Sequence, residues 1–228
     1  MGGMRLWVLA AVVAAAQDPY AARRERMVRD QIEARQVRNR DVLKVMRATP
    51  RHLFVPEALR EDAYADSPLP IGHGQTISQP YIVAAMTELL DPAPHHKVLE
   101  IGAGSGYQAA VLSPLVAKVF TIEIVPELAR AARARLERLG YRNIVVREGD
   151  GYRGWPEEAP FDRVLLTAAP PEVPDALVAQ LKPGGRLVAP VGRTFDNQEL
   201  IVIDKGLDGK LKRRTVFGVR FVPMVKGR

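Results

Sequence analysis

The chain has 228 residues, of which 47% are hydrophobic and 26% charged, and its formal net charge is +7. This length and apolar content are enough for one sizeable core, so we expect a single main domain. Cysteine is absent, which excludes disulfides, thiolate nucleophiles and cysteine metal sites. The four histidines have no metal-ligand spacing and no acidic cluster beside them, so no metal site is expected: His52, His73, His95 and His96.

The first 26 residues differ in character from the rest. Arg5 precedes an apolar run, residues 6–16, that is shorter than the roughly 20 residues needed to span a bilayer. The run fits a signal peptide with an Ala-x-Ala-like cleavage site, or else a misassigned start or an apolar helix ahead of Met27. We therefore divide the chain into a leader, 1–26, and one domain, 27–228.

Positive charge is concentrated in residues 23–60, where eleven Lys or Arg stand against five acids and supply +6 of the +7. Such a segment can steer an anionic substrate or a polynucleotide. We favour a solvated helix face, with Arg26–Asp30 and Arg29–Glu33 paired at helical spacing. No aromatic residues are interleaved for base stacking, so we expect no nucleic-acid partner.

Residues 27–90 are predicted to form a region of helices and loops. Apolar spacing predicts helices over 28–37 and 41–48, and the stretch 51–56 reads as extended before its proline. A loop, 67–80, then leads into a helix, 80–90, whose first residue is a proline.

From residue 91 to the end, strand-like and helical segments alternate. This alternation predicts a Rossmann-like, doubly wound α/β sheet that is mostly parallel, with right-handed crossovers. A closing antiparallel pair, 200–204 and 214–222, is joined by Asp208-Gly209. The remaining predicted elements are strands 97–101, 118–122, 143–146, 161–166 and 186–191, helices 107–115, 126–139 and 174–181, and a turn, 182–185.

The first chemical site is the turn of sequence Glu-Ile-Gly-Ala-Gly-Ser-Gly that follows the first strand of the sheet. A glycine turn between a strand and a helix lets backbone approach a ligand closely. Tyr107 stands where a dinucleotide fingerprint needs its third glycine, which argues against NAD. The pattern resembles the first motif of class I S-adenosylmethionine-dependent methyltransferases. That resemblance implies cofactor contacts from Glu100, Gly102, Ala103, Gly104, Ser105 and Gly106.

Two acidic residues further along the chain are consistent with a nucleoside ligand. Glu123 ends the second strand 21 residues after Gly102, where a carboxylate can accept both hydroxyls of a ribose. The methyltransferase resemblance adds Ile124 beside it, and directs Asp150, with Gly151, toward the adenine. A solvated turn aspartate is the alternative for Asp150.

The loop His-Gly-Gln-Thr-Ile-Ser-Gln-Pro, 73–80, carries the most specific pattern. Together with Tyr-Ile-Val-Ala at 81–84, Phe-Val-Pro at 54–56 and Val-Arg-Phe-Val-Pro at 219–223, it resembles protein-L-isoaspartate (D-aspartate) O-methyltransferases over roughly residues 27–225. The resemblance implies methyl transfer from S-adenosylmethionine to the α-carboxylate of isoaspartyl, and D-aspartyl, residues in damaged proteins and peptides. The ester then closes to a succinimide, which begins repair.

The same resemblance assigns roles within the loop. Ser78 becomes the active-site hydroxyl that orients the acceptor carboxylate, although a serine there also suits the N-cap of the following helix. Thr76 and Ile77 become walls of the cofactor site, and residues 219–223 lie along the substrate main chain. No general base is needed, because a carboxylate with a pKa of about 4 is already ionised at neutral pH.

Two alternative functions stay open at this level. Another class I methyltransferase acting on RNA or a small molecule would carry Asn-Pro-Pro-Tyr-like residues after the fourth strand, where this chain has Thr-Ala-Ala-Pro-Pro at 167–171. A non-catalytic, basic nucleic-acid-binding module is the other. Family resemblance implies a cytoplasmic location, and residues 1–16, if they act as a signal, imply export.

Overall fold

The computed structural model describes residues 18–193 and 198–227. The apolar run of the leader lies outside the described residues, so the signal-peptide hypothesis stays a prediction. Within those ranges, no helix has the length and apolar character needed to cross a membrane. The helices are α1 (Ala21–Arg26), α2 (Arg40–Ala48), α3 (Pro80–Leu90), α4 (Tyr107–Leu112), α5 (Pro126–Arg138) and α6 (Asp175–Ala179).

Nine strands make up the described β-structure. Seven of them form one sheet in the order β5-β4-β3-β6-β7-β8-β9, and β1 and β2 form a separate hairpin. The strands are β1 (Leu69–Gly72), β2 (Gln75–Ile77), β3 (Lys97–Ile101), β4 (Lys118–Glu123), β5 (Ile144–Glu148), β6 (Phe161–Leu166), β7 (Leu181–Val191), β8 (Gln198–Lys205) and β9 (Leu211–Val219).

The large sheet is parallel from β5 to β7 and antiparallel from β7 to β9. This confirms the predicted doubly wound sheet with its closing antiparallel pair. The order in which strands follow one another across the sheet reverses between β3 and β6. From β3 the chain goes on to β4 and β5 on one side, and then returns to β6 and β7 on the other side of β3. In open α/β sheets, ligands bind at the carboxyl ends of the strands at such a point.

Two apolar layers cover the sheet. The first contains side chains of α2, α3, α4 and α5 together with the N-terminal region, for example Met46, Met86 and Leu112. The second contains Leu177 of α6 and Phe161 of β6. Val98 lies in the first layer and Leu99 in the second, as the two-residue alternation of a strand requires.

The N-terminal helix is longer than predicted and changes its winding. α1 continues into a π-helical segment, Met27–Ile32, and a 3-10 turn, Glu33–Arg35. The predicted pairs Arg26–Asp30 and Arg29–Glu33 are wrong: Arg29 pairs with Asp30 at 2.7 Å, and Glu33 pairs with Arg47 at 2.7 Å. A π-helix bonds residue i to i+5, so residues four apart do not align as they do in an α-helix.

Three local predictions need correction. The stretch 51–56 begins with a 3-10 turn, because the amide of Phe54 donates to the carbonyl of Arg51 at 2.9 Å. The loop 67–80 contains the β1–β2 hairpin, whose tip, 72–74, has three consecutive residues with positive φ. The turn 182–185 is instead a bulge inside β7, since Phe161 pairs with Leu181 and Arg163 with Arg186.

Candidate active site

The glycine turn after β3 lies against the end of β6. The Gly102 amide donates to the carbonyl of Ile122 at 2.8 Å, which ties the turn to β4. Gly102 has φ +99°, and a Cβ placed there would lie 2.5 Å from Oγ1 of Thr167. The Thr167 hydroxyl is 2.6 Å from the carbonyl oxygen of Gly102, within donating distance. Only glycine allows the two strand ends to approach this closely.

Glu123 joins the glycine turn to the end of β4. One carboxylate oxygen accepts from the Gly104 amide at 2.7 Å, and the other accepts from the Val125 amide at 3.0 Å. The side chain is 5% exposed, and it lies at the carboxyl end of the strand next to β3. An ionised carboxylate has about four lone-pair sites, so two remain for a ligand.

A cleft that we call the inner cleft opens between these strand ends. Six predicted cofactor residues line it, and the structure therefore brings them together: Thr76, Gly102, Gly104, Glu123, Ile124 and Gly151. Its remaining wall includes residues that sequence reasoning missed, namely Gln75, Thr167, Ala168, Met224 and Val225.

The other predicted cofactor residues do not line the inner cleft in this structure. Ile77 is buried in the core, because it follows Thr76 on β2 and neighbouring strand residues face opposite ways. The glycine turn itself contains Ala103, Ser105 and Gly106. The side chains of Ala103 and Ser105 are buried. The Asp150 carboxylate accepts from the Tyr152 amide at 2.9 Å and caps a short turn.

Glu100 lies beneath the turn in a fully buried position. Its Cα is paired with Thr121 on β4 and with Leu165 on β6. Within the described residues neither carboxyl oxygen has a hydrogen-bond partner that meets normal geometry. Burial raises the pKa of Glu100 to about 8, with a further rise from the nearby charge of Glu123. The group is therefore largely protonated at neutral pH in the absence of a ligand.

A second, wider cleft, the outer cleft, adjoins the inner one and has a volume of about 990 Å³. Three residues line both clefts and so mark where they meet: Thr76, Thr167 and Val222. Ser78 lines the outer cleft only. The N-cap position of α3 belongs to Gln79, which makes no side-chain capping bond, and no hydrogen bond of the Ser78 hydroxyl is present in the described part of the chain.

The far wall of the outer cleft comes from the end of β9 and the segment after it. Val219, Arg220 and Val222 lie in this wall, so the structure brings part of the predicted substrate segment, 219–223, to the outer cleft. The buried amide of Gln198 fixes the segment: it accepts from the Phe221 amide at 2.6 Å and donates to the Phe221 carbonyl at 3.2 Å.

The chain then passes across the end of β6. The Ala169 amide donates to the carbonyl of Val222 at 2.9 Å, and the Met224 amide donates to the carbonyl of Ala169 at 2.8 Å. The Tyr152 hydroxyl donates to the carbonyl of Met224 at 3.2 Å. These bonds explain why residues so far along the chain line the inner cleft. The sequence could have indicated Thr167 as a residue of the cleft, because it directly follows β6, the strand next to the one that ends in the glycine turn.

This strand order, with a glycine turn after one central strand and an acid at the end of its neighbour, defines a class I S-adenosylmethionine-dependent methyltransferase fold. A family model described as protein-L-isoaspartate(D-aspartate) O-methyltransferase matches residues 22–228. Protein-L-isoaspartate O-methyltransferase 1 of Syntrophobacter fumaroxidans is 55% identical over 202 residues, which cover 89% of this chain and 94% of that protein. The chain therefore belongs to the protein-L-isoaspartate (D-aspartate) O-methyltransferase family.

Solved structures agree with this assignment. A protein-L-isoaspartate O-methyltransferase superposes with a TM-score of 0.78 at 30% identity, covering 88% of this chain and 65% of its own, so this chain spans just under two thirds of that protein. A Plasmodium falciparum homologue, solved in complex with S-adenosyl-L-homocysteine, has a TM-score of 0.77 at 24% identity and covers 90% of this chain and 99% of its own. The second likeness supports the fold.

Burial of Glu100 predicts a specific pH dependence of stability. Between the ordinary pKa of 4.5 and the raised pKa of about 8, the folded protein keeps a proton that the unfolded chain releases. This carboxyl group therefore lowers the free energy of unfolding as pH rises through that window. Glu100→Gln should become progressively more stable than the wild type from pH 5 to pH 8, as measured by urea unfolding.

The control for this experiment is Glu137→Gln, which removes a carboxyl group from an exposed position on α5. Parallel stability curves for Glu100→Gln and the wild type across that pH range would contradict the assignment of Glu100 as a buried neutral acid.

Proposed function

We propose that this protein transfers the methyl group of S-adenosylmethionine to the α-carboxylate of L-isoaspartyl, and D-aspartyl, residues in damaged proteins and peptides. The observation that carries the proposal is the junction of two clefts at Thr76, Thr167 and Val222, with Ser78 on the outer side. A donor in the inner cleft and a carboxylate in the outer cleft would meet there. Another class I activity is not favoured, since membership of the family supports isoaspartyl repair.

The inner cleft fits the proposed methyl donor. Gly102, Gly104 and Gly151 present backbone to it, and an added Cβ would collide with Thr167 at Gly102 and with Ile101 at Gly151. Glu123 offers its remaining lone pairs for the ribose hydroxyls, beside Ile124. When bound, S-adenosylmethionine supplies an electrophilic methyl group on a sulfonium. We assign Glu100, Ala103, Ser105, Gly106, Ile77 and Asp150 to the shell that shapes this site, as the family resemblance implies.

The acceptor needs positioning and no proton removal. A carboxylate is ionised at neutral pH, so attack on a methyl group requires no general base. Holding the reacting atoms close and in line can contribute about 7–11 kcal/mol to lowering the barrier. In this chain the walls at Thr76, Thr167 and Val222 restrict where a carboxylate can lie.

Ser78 orients that carboxylate. Its hydroxyl lies in the outer cleft and is not used as a helix cap, so it is available to donate to a carboxylate oxygen. The other oxygen then points toward the junction. Backbone groups of residues 219–222 lie alongside, which suits an enzyme that recognises main chain and accepts many different proteins.

Replacing Ser78 by alanine tests this role. We expect Ser78→Ala to lower kcat/KM for an isoaspartyl peptide by about 10²-fold, because a misplaced carboxylate loses its alignment. The dissociation constant for S-adenosylmethionine should stay within about twofold of the wild type, since Ser78 does not line the inner cleft.

Two variants sharpen the Ser78 result. Ser78→Thr keeps a hydroxyl and should recover part of the activity. Ser67→Ala makes the same change in the segment before β1 and should leave turnover unchanged. Wild-type turnover by Ser78→Ala in tritiated methyl transfer, with the normal aspartyl peptide as blank, would refute the orienting role.

Replacing Gly104 by valine tests the cofactor site. Gly104 has φ +51°, and a Cβ there would lie 3.3 Å from Cδ1 of Ile71. A β-branched residue rarely adopts this conformation, and its side chain would press on Ile71 and strain the turn that lines the inner cleft. We expect affinity for S-adenosylmethionine, measured by calorimetry, to fall by at least about 10²-fold.

Gly140→Val is the matched control, because Gly140 has φ +83° but faces open space beyond α5. It carries similar backbone strain away from the cleft and should keep its affinity. Equal affinities in Gly104→Val and the wild type would place the donor elsewhere.

We also propose that the protein acts in the cytoplasm, where S-adenosylmethionine is made. Export would require removal of the leader at residues 1–16. Mass spectrometry of the mature N-terminus distinguishes the two: retention of the leader, or a start at Met27, agrees with the proposal, and cleavage after the Ala-x-Ala-like site contradicts it.

A further inference from the structure

The outer cleft continues along an open sheet edge that carries positive charge. β9 is the last strand of the seven-stranded sheet and pairs only with β8 in the described structure, so its outer backbone groups are unpaired. Thr215 and four of the five residues that follow it line the outer cleft, the exception being Val216. Four cations precede them in the sequence: Lys210, Lys212, Arg213 and Arg214. These side chains are exposed.

The strand register shows from which face of the sheet each of these cations projects. Arg214 is paired with Val202 and Lys212 with Asp204, and cross-strand partners project from the same face of a sheet. Val202 belongs to the apolar layer that also contains α3, which follows Ser78. Arg213 is paired with Ile203 of the opposite layer. Phe217, which lines the outer cleft and stacks on Tyr81 of α3, is paired with Leu200 of the first layer. Lys212 and Arg214 therefore project from the same face of the sheet as Phe217, whereas Thr215, paired with Ile201, projects from the other face.

Neighbouring acids do not neutralise these two cations. Asp204 forms an ion pair with Arg186 at 2.6 Å, and Glu199 accepts from the Thr215 hydroxyl at 3.1 Å. Among the ion pairs of the described residues, neither Lys212 nor Arg214 takes part, whereas Lys210 pairs with Asp208. The positive charge beside the cleft is thus available to a partner.

We propose that Lys212 and Arg214 bind acidic side chains of the substrate that flank the isoaspartyl residue, while the substrate main chain adds to the edge of β9. This inference rests on the proposed function. Arg214 and Lys212 lie eight and ten positions before Val222 of the cleft junction, and an added strand advances at the same rate per residue as β9, so the paired chain reaches these cations about eight to ten residues from the isoaspartate. The enzyme would favour damaged sites with acid at that spacing on one side.

A polynucleotide is the other class of partner that an exposed cationic strand can attract. The structure favours a peptide for two reasons. An open strand edge matches an extended main chain in hydrogen-bonding pattern. The aromatic ring of β9 nearest the cations, Phe217, is stacked on Tyr81 with ring centroids 6.2 Å apart, so it is engaged within the protein.

The test uses 21-residue isoaspartyl peptides with the damaged residue at the centre. Three glutamates are placed eight to ten residues away on either the N-terminal or the C-terminal side, and reference peptides carry glutamine there. At low ionic strength we expect kcat/KM to be about fivefold higher for one of the two acidic peptides than for its glutamine reference. The preference should shrink at about 0.15 M salt, where exposed charges are screened.

The double variant Lys212→Gln/Arg214→Gln should lose this preference and keep its kcat/KM for the glutamine peptides. The control Arg138→Gln/Arg142→Gln removes the same charge near the opposite edge of the sheet and should keep the preference. The swap Lys212→Arg/Arg214→Lys preserves the charges and should keep it as well.

Three outcomes are distinguishable. Equal rates on all peptides by the wild type would overturn the inference, leaving the cations as protection of the edge against aggregation. Salt-sensitive binding of a single-stranded RNA oligonucleotide that is lost in the double variant, with no flank preference, would also overturn it in favour of a nucleic-acid surface. Absence of methylation of every isoaspartyl peptide would refute the proposed function itself.

Discussion

The close approach of β3 and β6 at their carboxyl ends is the constraint on which the site depends. Thr167 and Gly102 are in contact there through a hydrogen bond of 2.6 Å, and no side chain fits at residue 102. The helices that follow these two strands leave in different directions, so a crevice opens between them. Everything else in the site, from the hairpin of β1 and β2 to the segment after β9, is arranged around that crevice.

The geometry of the cleft junction suits the methyl transfer proposed for this protein. An ionised carboxylate attacking a methyl sulfonium needs a fixed direction of approach, and the residues at the cleft junction restrict that direction. The junction residues come from three distant parts of the chain: the hairpin, the end of β6 and the segment beyond β9. Because the walls come from three parts of the chain, they can restrict the position of a small reacting group. The proposed reaction needs no dedicated acid or base in addition.

The sequence predicted the regular part of the fold well, because strands buried on both faces read as short apolar runs and helices show their own period. It predicted the glycine turn and Glu123, where residue type is dictated by backbone geometry and hydrogen bonding. It failed where tertiary contacts decide the conformation: the hairpin at 69–77, the bulge at 182–185 and the turn at 51–53.

Prediction of the candidate site from sequence succeeded and failed for the same reasons. Motif positions identified Thr76 and Gly151, which line the inner cleft. Met224 and Val225 reach it only through hydrogen bonds made across the end of β6, and such long-range pairing leaves no local pattern in sequence. The structure places Ile77 in the core and Thr76 on the cleft, because a strand alternates its side chains and local sequence did not indicate the strand β2.

The carboxylate of Glu123 belongs to the architecture and to the ligand site at once. Its bonds to the amides of Gly104 and Val125 hold the turn before any nucleoside arrives, so part of the ordering that binding would otherwise require is already complete. If the free lone pairs bind the ribose as proposed, any substitution at this position would loosen the loop and also remove a ligand contact. An affinity measured for such a variant reports both losses, and the two are separable only by a double-mutant cycle that also alters the ribose.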